Sequence, residues 1–292
     1  TGIRSSIMSA ILLVTIGILN IAIVTSGVGN GFSLMIAQWS QGSLILAMAL
    51  IALASLVLGM GLPVTAAYIV LGTLSAPALH GLIADGMLVK ALASGEIPEA
   101  ARAIFMLAAP DRLAEIGNPM STATARMIVD AIPFDMASMV REAVLSEHTL
   151  TFALLAAHLI VFWLSQDSNV TPPVALAAFT GAAIAGTKPM ETGFQSWKLA
   201  KGLYIVPLLF AYTPVIGGAL IDDLTIFFFA LFGLYAFAAG LEGFMEARLD
   251  LVSRLLAVAC AVALLWPTVW WVHVIGLAVL VVLFVRSFRV SR

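Results

Sequence analysis

Charge is what this sequence has least of. Of its 292 residues only 10% are Asp, Glu, Lys or Arg, against 62% hydrophobic, and the mean hydropathy is +1.08. A soluble globular domain is roughly 45–50% apolar and about 25% charged. That excludes a water-soluble fold, and the chain reads as an integral membrane protein. Basic charge is not in excess either: the net charge of -2 offers nothing to a nucleic acid. Cysteine is nearly absent. The single Cys260 forms no internal disulfide and is expected simply to pack in its apolar run. The motifs HExxH and GxSxG are missing, as is any pair of intramembrane acids, which counts against hydrolytic chemistry. The chain starts at Thr1 with no cleavable signal peptide after it, so it is expected to be one part of something longer.

Long apolar runs are what the chain has in abundance. A spanning helix needs about 20 apolar residues, and runs at about 8–28, 193–213, 223–240, 253–270 and 271–287 qualify, the last two meeting in a tight hairpin at Pro267. Two regions are less ordinary. Residues 43–80 form two apolar arms of about 17 residues around GMGLPVT. Residues 149–186 are an apolar stretch interrupted by QDSNVTPPV, Gln166 to Val174. Between them, 81–148 is the one sizeable polar segment, with five basic residues (Lys90, Arg102, Arg112, Arg126, Arg141) against nine acidic ones. Met136, Met139, Val140, Ala143 and Val144 share a helical face opposite Arg141 and Glu142, so amphipathic helices on the outer membrane surface are expected there.

Positive charge near span ends sets orientation. Arg286, Arg289 and Arg292 place the C-terminal tail in the cytoplasm, as do Arg248 and Arg254 for the preceding basic loop. Asp222 and Asp223 fall outside, Lys188, Lys198 and Lys201 inside, and Arg4 marks a cytoplasmic start. Residue 148 is then outside and residue 187 inside. The segment between is too short for three crossings and too long for one plain helix, so a single discontinuous crossing is expected, broken at QDSNVTPP.

The break matters because unpaired backbone groups survive at membrane depth only where they are buried in protein or line a cavity. Pro172 and Pro173 lack N–H donors and clash with the preceding turn, and Thr171 is pushed off helical angles by the proline after it. The freed carbonyls become oxygen ligands, and a proline can open the next half-helix, whose N-terminal dipole favours an anion. The second break, Gly59 to Thr65, has glycines that loosen the backbone and Pro63 to start a helix. It reads as the tip of a re-entrant hairpin reaching the broken crossing, although an ordinary loop between two full spans also fits. Interrupted segments that face each other point to a transport site. An acid at mid-bilayer costs roughly 2.5–3.5 kcal/mol, which makes Asp167 a candidate supporting residue, or an interfacial one if the break lies shallow, and it keeps proton coupling open beside sodium coupling. His158 fits a partner on a helix face. Ala177, Ala178, Gly181, Ala182 and Ala185 permit close helix contact. Asn169-Val170-Thr171 matches a glycosylation sequon that burial would block. GVGNG at 27–31 lacks the strand-helix context of a nucleotide loop.

Two blocks carry a family resemblance: LGMGLPVTAAYIVLGTLSAPAL, and HLIVFWLSQDSNVTPPVALAAFTGAAIAGTKPMETGFQSWKLAKGLYIVPLLFAYTP. Together they resemble the large membrane subunit of TRAP transporters, the tripartite ATP-independent periplasmic transporters. The likeness is nearest to the fused permeases of the TAXI branch, whose C-terminal extension is similar to EGFMEARLDLVSRLLAVACAVALLWP and the closing helix. It covers 1–80 and 149–292. It implies an all-α integral membrane protein: the second half of an inverted-repeat, elevator-type transporter, with a re-entrant hairpin, a discontinuous helix and extra C-terminal transmembrane helices. It implies four parts: 1–80, a helix and the hairpin; 81–148, an extracytoplasmic insertion; 149–213, the discontinuous helix and the span after it; and 214–292, a three-helix extension.

The resemblance further implies no enzymatic activity and no cofactor beyond Na⁺ as coupling ion, bound through backbone and hydroxyl oxygens where tip meets break. The residues carried over are Gly59, Met60, Gly61, Pro63 and Thr65 at the tip, and Ser168, Asn169, Val170, Thr171, Pro172 and Pro173 at the break. The implied partners are a periplasmic substrate-binding protein delivering an organic acid or amino acid, the N-terminal half of the same fused permease with its small-subunit part, and the lipid bilayer of a bacterial or archaeal cytoplasmic membrane. An intramembrane enzyme using Asp167 and His158, or a channel at the broken helix, stands as the alternative. Two departures are visible: the first repeat is not in this sequence, and 81–148 is longer than the connection in relatives. Asp167 also stands where the family pattern more often has an apolar residue.

Overall fold

The computed structural model describes residues 2–60, 62–266 and 270–291. Among them there is no strand, only an isolated bridge between Phe244 and Arg248. The chain divides into two compact units, residues 1–198 and 199–292. The division falls before the boundary expected at 213/214.

In the first unit, α1 (Gly2–Ser26) turns at Gly27, whose left-handed backbone (φ 72°) suits glycine, and continues as α2 (Val28–Ser40) after a bend of 70°. The expected plain span at 8–28 is thus one limb of a bent pair. Ser43 then caps α3 (Leu44–Gly59) by accepting from the Leu46 N–H. After the tip, α4 (Val64–Ser94) forms the hub of the unit, touching α1, α2, α3 and the helices described next. The two hairpin arms are unequal: α3 has 16 residues, as expected, but α4 has 31. At about 1.5 Å per residue these run roughly 24 and 46 Å. Pro77 lies inside α4 without ending it. It removes the donor that the Thr73 carbonyl would use. One residue on, Ser33 of α2 donates to the Leu74 carbonyl at 2.6 Å, tying that weak point to a neighbour. The boundary expected at 80/81 therefore falls within a continuous helix.

The polar segment folds onto the end of that helix. Helices α5 (Ala101–Ala108), α6 (Thr122–Ala131) and α7 (Phe134–Val144) turn their apolar faces inward. Phe105, Ile116, Ala125, Ile128 and Val140 are fully buried against Leu88, Val89 and Leu92 of α4. These faces thus meet one another and α4, while Leu107, Phe134 and Met139 stay exposed. An amphipathic face states only that it needs an apolar partner, and here the partners are one another. Nor is Arg141 on a solvated face. Its guanidinium forks onto Asp85 of α4 through two bonds of 2.8 and 2.9 Å, both side chains being about one-fifth exposed. Arg141→Ala is expected to lower stability by about 2 kcal/mol, less than the ~3–5 kcal/mol lost when one partner of a fully buried pair is removed. Thermal unfolding of the purified protein measures this, and an unchanged midpoint would contradict it.

The chain returns as α8 (Glu147–Ser165), capped by Ser146, which accepts from the Thr149 N–H at 3.1 Å. It stops, and α9 (Leu176–Ala185) and α10 (Pro189–Leu199) follow.

In the second unit, α11 (Gly202–Tyr212), α12 (Leu220–Glu242), α13 (Leu251–Leu265) and α14 (Trp270–Ser291) follow in order. The span expected at 193–213 is therefore two helices separated at Ala200 and Lys201. The physical reason is polarity: α10 carries Glu191, Gln195 and Lys198, and the apolar run begins only at Gly202. Small residues let α12 and α13 close together: a Cβ on Gly233 or Gly240 would crowd Leu265 or Val258. Cys260 is buried and unbridged among Ala236, Ala257, Ala261 and Leu280, as its apolar run suggested. Arg254 donates to the Gly240 and Leu241 carbonyls and caps the end of α12. The hairpin expected at Pro267 lies outside the described residues. Among the described residues four helices, α4, α8 with the turn after it, α12 and α14, are long and apolar enough to cross a membrane, five spans in all if the bent α1–α2 pair counts as one. This is an all-α, multi-pass membrane protein.

Candidate functional site

QDSNVTPPV interrupts the helix as its prolines require. After Ser165 the chain makes one 3-10 turn, Asp167–Asn169, and then runs irregularly until Leu176. The Asp167 carbonyl accepts from the Val170 and Thr171 N–H groups at 3.2 and 2.9 Å, and the Thr171 carbonyl from the Ala175 N–H at 3.1 Å. The Asn169 carbonyl has no such possibility, because the residues three and four positions on are Pro172 and Pro173, neither with an N–H. Ala175, fully buried, takes a left-handed backbone (φ 38°) that re-aims the chain into α9.

The hairpin tip meets this break. Gly59, the last residue of α3, lies so close to Ser168 that a Cβ built on it would overlap the Ser168 Cβ and Oγ. One turn earlier, buried Ser55 donates to the Leu164 carbonyl at 2.9 Å and fixes α3 against the end of α8. On another side α10 approaches: a Cβ on Gly193 would come within 3.0 Å of Phe179 and 3.3 Å of Pro172.

Among the residues expected at the site, Asp167, Ser168 and Thr171 are buried, and Gly59 is packed directly on Ser168. Asn169, Val170 and Pro172 are half-buried. Met60, Pro63, Thr65 and Pro173 are exposed on the described chain, and Gly61 lies outside the described residues. Pro63 immediately precedes α4, its carbonyl accepting from the Ala67 N–H at 2.9 Å. His158 lies beside Tyr68, ring nitrogen to hydroxyl 3.4 Å, and no hydrogen bond joins it to the Asp167 carboxylate among the described residues. Ser55 and Gly193 were missed by sequence reasoning. Each had a faint signal: Ser55 is the one polar side chain in α3, and Gly193 sits mid-helix in α10, where glycine is unfavourable without a packing reason.

Asp167 is the anomaly. Its side chain is fully buried, and neither carboxylate oxygen has a hydrogen-bond partner among the described residues. A buried carboxyl is either protonated or, as an anion, paired or bound to a cation. Oxygen groups of this kind, carboxylate and carbonyl, suit a hard cation rather than a thiophilic metal.

One structural expectation needs correcting. α8 alone has 19 residues, about 28 Å at ~1.5 Å per residue, close to the ~30 Å of a hydrocarbon core. The length argument that forced the break into mid-crossing thus loses its premise, while the meeting of tip and break stands on the contacts themselves. A family model for the DctM component of tripartite ATP-independent periplasmic transporters matches residues 1–216, the 81–148 segment included. No curated protein and no solved structure matches the chain.

Proposed function

Since this chain belongs to the DctM component family of tripartite ATP-independent periplasmic transporters, we propose that it serves in Na⁺-coupled uptake of an organic acid or amino acid. In this reading a periplasmic binding protein delivers the substrate, and the chain works with a first inverted repeat and a small-subunit part. The membrane is the cytoplasmic membrane of a bacterium or archaeon, and the movement is of the elevator type. The observation that carries the reading is the seating of Gly59 against Ser168, which sets a hairpin tip on an unwound helix. Gly59, Ser168, Asn169, Val170 and Thr171 hold the ion through carbonyl and hydroxyl oxygens, with Met60, Gly61, Pro63, Thr65, Pro172 and Pro173 shaping the same wall. Interrupted helices facing each other supply the oxygen ligands and helix ends from which secondary transporters build such sites.

The test is uptake into proteoliposomes holding the complete transporter and its binding protein. An inward sodium gradient is expected to raise uptake at least roughly tenfold over a potassium control, as interrupted-helix cation sites of secondary transporters imply. Uptake indifferent to sodium and to the binding protein would overturn the reading.

A further inference from the structure

Asp167 is the acid of the break, and the proposed site does not use it. It is fully buried, both oxygens are without donors among the described residues, and no ion pair found there involves it. The elements packed on its turn give it no counter-charge: α3 and α9 contain no basic residue at all, and α8 offers only His148 and His158, the nearer of them nine residues away. α10, which reaches the break at Gly193, carries Lys198 exposed on its last turn, five residues beyond that contact, and Lys188 just before the helix is engaged with Glu191 at 2.7 Å. Desolvation of a lone carboxylate is among the most expensive events in a protein interior. Such a carboxyl is neutralised in one of two ways, by its own proton or by a cation from outside the chain, and the oxygen-rich break beside it favours the cation.

The partner's chemistry follows from the surroundings. The same break carries carbonyl and hydroxyl oxygens: the Ser168 hydroxyl is next in sequence, and the Asn169 carbonyl is denied a helical donor by the two prolines. Such donors match a hard cation. One carboxylate neutralises one positive charge, so a monovalent ion leaves the buried site neutral, while a divalent ion leaves it charged.

We infer that Asp167 is an anionic ligand of the coupling cation, so that the site between tip and break binds Na⁺ as a net-neutral ion pair and not through neutral oxygens alone. This rests on the cation site proposed above. It adds to that site a charge that the resemblance does not supply, and it gives the buried Asp167 carboxylate a partner that it lacks among the described residues.

The experiment reads binding, not transport. The complete transporter is purified in detergent and its thermal midpoint followed against NaCl, with choline chloride holding ionic strength constant. Wild type is expected to show a saturable, sodium-specific rise. Asp167→Asn, neutral and of nearly the same shape, is expected to need at least about tenfold more sodium for half of that rise, a loss of 1.4 kcal/mol of binding. Asp167→Glu keeps the charge and is expected to retain the sodium-specific rise. Should Asp167→Asn not yield folded protein, Asp167→Ser is the second neutral variant, with the same expectation. A half-saturating sodium concentration in a neutral variant equal to that of wild type overturns the inference and leaves the cation site standing. Absence of any sodium-specific rise in wild type overturns the cation site and the inference together.

Discussion

Alanine in place of Gly59 is expected to cut sodium-driven uptake by at least about tenfold. The added methyl has nowhere to go, since its position is already taken by the Cβ and Oγ of Ser168. Ser168 cannot retreat easily: it is buried on a 3-10 turn whose backbone is held by bonds from Asn169, Val170 and Thr171 to the Gln166 and Asp167 carbonyls. α3 cannot retreat either, because Ser55 ties it to Leu164 one turn before the tip. Overpacking of this kind costs typically 1–3 kcal/mol, and here it falls on the contact that defines the site. Uptake in proteoliposomes reads the loss, and thermal unfolding reads the strain. Adding Ser168→Gly to Gly59→Ala is expected to restore the thermal midpoint without restoring uptake, because it removes the overlap together with a proposed ligand. Wild-type uptake in Gly59→Ala would show that tip and break are not in contact during transport.

The second large effect lies in the folded segment between the hairpin and the broken helix. Phe105 is fully buried where α5, α6, α7 and the end of α4 converge. Phe105→Ala is expected to cost about 3–5 kcal/mol, the usual loss for emptying a large core site. Such a loss rivals the whole stability of a small unit, so limited proteolysis should cut between residues 95 and 145 in the variant well before wild type. Equal protease resistance would mean that the segment's apolar faces have partners other than one another.

That segment shows where sequence reading stops. Val140, Ala143 and Val144 on one face of α7, with Arg141 on the other, specify an amphipathic helix, and α7 is one. They do not specify whether the apolar face meets lipid or protein. Only the return of α5 and α6 onto the end of α4 decides that, as it decides that Arg141 reaches Asp85, 56 residues away in sequence. The hairpin tells the same story at another scale. GMGLP announces the end of one helix and the start of the next, because glycine and proline act within a few residues. The doubled length of the second arm was hidden, because a proline in a packed helix can be tolerated when a neighbour such as Ser33 donates nearby.

What the sequence determined by itself is therefore whatever local chemistry dictates. Scarce charge with long apolar runs makes a multi-pass helical membrane protein, and two adjacent prolines make a break that no context could mend. The tertiary structure alone decided that Gly59 lies on Ser168, that Ser55 and Gly193 belong to the same neighbourhood, and that Asp167 is buried without a partner. Each of these depends on contacts between helices far apart in the chain. Periodicity shows which side of a helix is apolar, but the identity of the neighbour is fixed only when the helices pack.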